Sequence, residues 1–157
     1  MEYFILARWL HVIGACVLIG TGSGIAFFMV MAHRTRSAPL VAHVVGTVVV
    51  ADFLFTATAV VVQPLTGMWL ASIIGWPLST PWIVTSLALY ALIGAFWLPV
   101  VWLQMQVRDL ARAAASAGEE LPPAYYRYYR LWFAAGFPAF AAVLGIVWLM
   151  LERPPLW

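Results

Sequence analysis

Two side chains of this sequence have the chemical capacity to do more than pack, His11 and Asp52, because each lies inside an apolar run long enough to cross a bilayer. An imidazole or a carboxyl at membrane depth is costly and must have a partner or a task. Neutral imidazole is a standard axial ligand of haem iron, so His11, in Leu10-His11-Val12-Ile13-Gly14, is the candidate metal ligand. Asp52 has three open roles: a protonated or hydrogen-bonded packing group, an acceptor that sets the tautomer of His11, or a proton relay.

The neighbours of both residues suggest faces. At about 100° per residue, Asp52, Thr56 and Gln63 fall on one polar stripe, expected to look into the bundle and to bring Thr56 level with His11. Gly14 and Gly22 share part of the histidine's face, while Gly20 and Gly24 form a small-xxx-small pair. The structural interpretation is close helix packing. The functional one is a flat macrocycle lying against bared backbone with His11 as its axial ligand. Tyr90 is expected level with His11 and on one face with Trp97, as aromatic packing or as a pocket wall. The candidate cofactor-binding set is therefore His11, Gly14, Gly22, Asp52, Thr56 and Tyr90, the cofactor haem b, and the metal ligand His11. Copper is poorly served: Cys16 points elsewhere on the wheel and no Met-rich or His-rich cluster accompanies it. His33 and His43 are placed at the interface. No nucleophile with a base, phosphate loop, paired carboxylates or HExxH is present, so hydrolase and kinase chemistry is not expected.

The elements that position these residues follow from composition. Of 157 residues, 65% are hydrophobic and 9% charged, where soluble domains are roughly a quarter charged, and the mean hydropathy is +0.96. Lipid is the expected solvent, and nucleic acid is not an expected partner. The single cysteine excludes a disulfide framework within one chain. Four stretches reach the roughly 20 residues that a bilayer needs: Tyr3 to Met31, Val41 to Val62, Trp82 to Met105 and Tyr129 to Leu151. Residues 1–157 are thus expected to form one polytopic domain, an all-α, antiparallel bundle of four transmembrane helices. Ser37-Ala38-Pro39 and Ser79-Thr80-Pro81 predict a capping hydroxyl followed by a helix-starting proline. Gln63-Pro64 predicts a break, leaving Leu65 to Leu78 as a short interfacial or re-entrant segment. The third helix is expected to overhang the membrane as far as Ala117, with an Asp109/Arg112 pair, and to end at Gly118. Tyr125-Tyr126-Arg127-Tyr128-Tyr129-Arg130 predicts a headgroup anchor at the start of the fourth.

All eight basic residues are arginine. Arg34, Arg36, Arg108, Arg112, Arg127 and Arg130 lie on one side, and the positive-inside rule puts both termini on the other, the periplasmic side of a bacterial inner membrane. The first helix is expected to remain uncleaved.

Leu10-His11-Val12-Ile13-Gly14, Ala51-Asp52-Phe53-Leu54-Phe55-Thr56, Gln63-Pro64-Leu65-Thr66-Gly67, Pro81-Trp82, Trp97 through Gln104, and Leu149-Met150 follow one another along the chain. In that order they resemble the bacterial family of predicted integral membrane proteins called domain of unknown function 2269. Arg153-Pro154 stands where such sequences carry Lys-Pro. The LHxxG motif of the first helix is also distantly similar to the copper-resistance D family and to the four-helix, haem-binding protoporphyrinogen oxidase, a resemblance that implies copper handling or b-type haem. Three functions are open: a b-type haem or redox-linked protein using His11, its second ligand being His11 of a second copy across a homodimer, another side chain, or nothing; a non-catalytic accessory subunit or scaffold of a larger membrane complex; or a small transporter using the Asp52-Thr56-Gln63 stripe.

Overall fold

The computed structural model describes residues 2–156. They form α1 (Glu2–Thr35), α2 (Ala38–Ala51), α3 (Ala57–Ile74), α4 (Pro81–Ala117) and α5 (Pro123–Glu152). A single π turn, Asp52–Thr56, welds α2 to α3, so the chain makes four rods, each long and apolar enough to span a membrane. The rods alternate in direction. α1 packs on α2 and α3, α2 on α4, and α4 along α5, whereas α1 and α5 touch only sparingly.

Proline starts three of these elements: Pro39 lies in the first turn of α2, Pro81 opens α4 and Pro123 opens α5. Its missing N–H costs nothing there. The expected hydroxyl caps do not form. Ser37 makes no side-chain cap, and the Thr80 hydroxyl turns back to the Pro77 carbonyl at 2.6 Å. Gly118 ends α4 with φ of 70°, in the left-handed region that glycine adopts freely.

The predicted break at Gln63-Pro64 is absent. α3 runs through Pro64 to Ile74, and only the stretch from Gly75 to Thr80 is left as an irregular connection. Proline removes the N–H that would bond the carbonyl four residues back, on Val60. The Tyr90 hydroxyl of α4 donates to that same carbonyl and replaces the lost bond; α4 and α5 likewise run on through Pro99 and Pro138.

The best-packed core lies at the arginine-rich end. Met29 of α1, Val41 and Val45 of α2, Val107 of α4 and Tyr125 of α5 are each no more than 1% exposed. Tyr125 and Tyr129, expected to anchor in headgroups, belong to this core, because their spacing of four puts both on the inner face. Arg127 and Arg130 remain outside.

Candidate functional site

His11 reaches from α1 to the last turns of α3. Its Nδ1 lies 3.0 Å from Thr66 Oγ1. The threonine hydroxyl spends its hydrogen on the Val62 carbonyl at 2.9 Å or the Gln63 carbonyl at 3.1 Å, so toward the ring it accepts. With the hydroxyl hydrogen so used, the ring donates from Nδ1, the tautomer that leaves the Nε2 lone pair free. The two helices meet through reciprocal notches. A Cβ on Gly67 would stand 3.1 Å from His11 Cε1, and one on Gly14 would collide with Gln63 Oε1. The histidine of α1 thus lies over a glycine of α3, and the glutamine of α3 over a glycine of α1.

Asp52 opens the π turn and faces the other way, toward α4. It is 3% exposed, and Gln104 is 2% exposed. Trp132 of α5 has an N–H that can only donate. It fixes the Gln104 amide with its oxygen toward the indole at 3.2 Å and its nitrogen toward Asp52 Oδ2 at 3.1 Å. Trp97 Nε1 approaches Oδ1 at 3.5 Å. Every arrow in this chain of donors ends on the carboxyl, and α2, α4 and α5 are tied through it.

These facts redraw the expected site. His11 lies level with Thr66 rather than with Thr56, since α3 extends past Pro64. Thr66 is about four helical turns, or about 20 Å, from Asp52. The two groups share no compartment. Nor does the polar stripe hold one face: Asp52 meets α4 while Gln63 meets Gly14 of α1. A π turn inserts one residue, which rotates everything beyond it by about 100° relative to an ideal wheel. Thr56 Oγ1 is buried with no partner. Tyr90 serves Val60, not His11, and Gly22 is open, with nothing within 4 Å of an added Cβ. Of the six residues read as one cofactor site, His11 and Gly14 share the α1–α3 interface, while Asp52 and Thr56 are buried together in the π turn. Among the described residues, no three His, Cys, Asp or Glu side chains converge as a metal site.

The arginine-rich end holds a second polar cluster. His33 stacks on Tyr129 with ring centroids 3.7 Å apart and an interplanar angle of 4°, and its Nδ1 lies 3.1 Å from the Tyr125 hydroxyl. Burial, and then the charge of Arg36, hold this imidazole below its ordinary value. The expected Asp109/Arg112 pair is replaced by Arg108 Nε to Asp109 Oδ1 at 2.8 Å, a hydrogen bond that holds the Asp109 carboxyl below the usual range. Arg112 crosses to α2 and rests on Gly46.

Sequence reasoning missed Thr66, Gly67, Gln104 and Trp132 as partners. Gln104, seven residues from Trp97 and thus on its helical face, was the available signal, an amide at the end of an apolar run.

Four apolar, membrane-length helices pinned by buried polar pairs define a multi-pass helical membrane protein. The chain belongs to the family described as Predicted integral membrane protein (DUF2269), whose model matches residues 5–154. Comparison with curated proteins and with solved structures found no match.

Proposed function

We propose that the chain is a non-catalytic subunit or scaffold of a bacterial inner-membrane complex, with both termini periplasmic. The observation that carries this is the Trp132–Gln104–Asp52–Trp97 chain, which spends the most costly buried group of the molecule on holding three rods together. His11 on Thr66 and Tyr90 on Val60 do the same across two further interfaces. Without a hydrophobic force between helices in lipid, packing and such bonds carry association. The arginine asymmetry supports the orientation.

Chemical cross-linking in native membranes tests this, with Asp52→Asn as the variant. The expected result is a cross-linked species well above the 17.4 kDa of the chain, whose yield drops in Asp52→Asn while no bound small molecule is lost. A chain that cross-links to nothing, with the variant unchanged, would overturn the proposal.

One observation favours a second reading, haem b on His11. Thr66 holds the proton on Nδ1 and leaves Nε2 free to coordinate, which is the arrangement of metal-ligating histidines. His11, with the same residue of a second copy, would hold the group. Bound there, haem would supply one-electron chemistry. A Soret band in haem-supplemented protein that disappears in His11→Ala is expected on this reading; no band, or an unchanged one, removes it.

A further inference from the structure

Arg112 makes no salt bridge among the described residues. Asp109, three residues before it, is taken by Arg108, and among the described residues no carboxylate pairs with Arg112. Its side chain instead crosses the seam between α4 and α2 and lies on Gly46, where a Cβ would stand 3.1 Å from Nη2. It borders a recess of about 410 Å3 that also involves His43 and Thr47. On the far side of those same two residues, a second groove of about 470 Å3 runs between α1 and α2. Gly20 and Gly24 line that groove, and an added Cβ at either would meet nothing within 4 Å. Apart from Thr21, the rest of the groove is apolar, bounded by Ile25 and Phe28.

We propose that these two recesses form a site for one anionic phospholipid, with its phosphate on Arg112 beside His43 and an acyl chain in the groove over Gly20 and Gly24. The charge and the shape select the same ligand. A planar guanidinium matches phosphate oxygens two at a time, and basic recesses between membrane helices are where anionic headgroups dock. The groove next to it offers dispersion contact to a flexible chain, floored by glycines that let it lie close to the backbone. Free phosphate could use only the first feature, and in a zwitterionic lipid the headgroup cation offsets the attraction of its phosphate to Arg112. Arg112 is three residues beyond the Arg108–Asp109 pair, past the end of the apolar stretch at Met105, where headgroups are expected.

The test uses the full chain in mixed micelles of equimolar phosphatidylglycerol and phosphatidylcholine, read by native mass spectrometry. The expected result is one retained phosphatidylglycerol. Arg112→Gln should lower its retention about fivefold, the scale of one juxtamembrane arginine's attraction, without changing retained phosphatidylcholine. Gly24→Leu, which fills the groove from an open position and leaves Arg112 intact, should lower it comparably; it keeps the test alive if Arg112→Gln does not accumulate. Arg34→Gln, outside the groove, should leave retention unchanged. Equal retention of the two lipids overturns the proposal. So does loss of phosphatidylglycerol to millimolar inorganic phosphate with Gly24→Leu silent, which would leave an anion site and no lipid site. These outcomes are independent of whether the chain is a scaffold.

Discussion

The Tyr90 hydroxyl of α4 donates to the Val60 carbonyl of α3, the acceptor that Pro64 leaves without its usual helical donor. One interhelical bond thereby supplies the donor missing from a helix that runs through its proline to Ile74. That continuity in turn lifts Thr66 and Gly67 to the height of His11.

Removing the hydroxyl should orphan the carbonyl. Tyr90→Phe is expected to cost about 1 to 2 kcal/mol, measured by unfolding in detergent. Pro64→Ala supplies a backbone N–H to the same carbonyl, so the double variant Tyr90→Phe/Pro64→Ala should recover most of the loss. Strict additivity of the two changes would show that Tyr90 and Pro64 are not coupled.

The donor chain onto Asp52 predicts an ordering of variants. Asn retains one acceptor oxygen, whereas Leu leaves both Trp97 and Gln104 donors buried and unpaired. Asp52→Leu should therefore lose about 1 to 3 kcal/mol more than Asp52→Asn. Gln104→Leu should also shift the fluorescence of Trp132, whose N–H loses its acceptor. Equal stability of the two Asp52 variants would argue that the carboxyl is not receiving both bonds.

The reciprocal notches of α1 and α3 predict compensation. Gly14→Val places a side chain where Gln63 Oε1 now sits, and overpacking of this kind costs about 1 to 3 kcal/mol. Shortening the neighbour with Gln63→Ala should restore the fit. If Gly14→Val is tolerated alone, the helices do not pack at this point as described.

His33 predicts a pH response. Its pKa is lowered by burial and then by Arg36, and the groups facing it are Tyr125, Tyr126 and Tyr129. The unfolded chain accepts the proton first. Stability should be unaffected above the ordinary value of 6.5 and decline as pH falls through it toward the lower folded value. His33→Phe keeps a ring on Tyr129 and should flatten that slope in a melting series across this range. A slope that persists in the variant would assign it to another group.

Much of the fold was legible in the residues alone. Apolar length called for four spans, Pro39, Pro81 and Pro123 marked helix starts, and Gly118 marked the end of α4. His11 and Asp52 stood out because ionisable groups in lipid are costly whatever surrounds them. Their partners were not legible. A helical wheel assumes an unbroken 100° step, and the π turn at Asp52–Thr56 violates it.

Local chemistry, then, was determined by the sequence: which stretches cross, where prolines begin them, and which side chains must find a partner. Tertiary structure decided which partner each one found. A proline inside a helix frees a carbonyl, and the group that takes up the one freed by Pro64, the Tyr90 hydroxyl, lies 30 residues beyond Val60 along the chain. With that bond made, His11 and Asp52 are held in separate interfaces, because depth in a bundle is set by where helices end rather than by how residues are spaced within them.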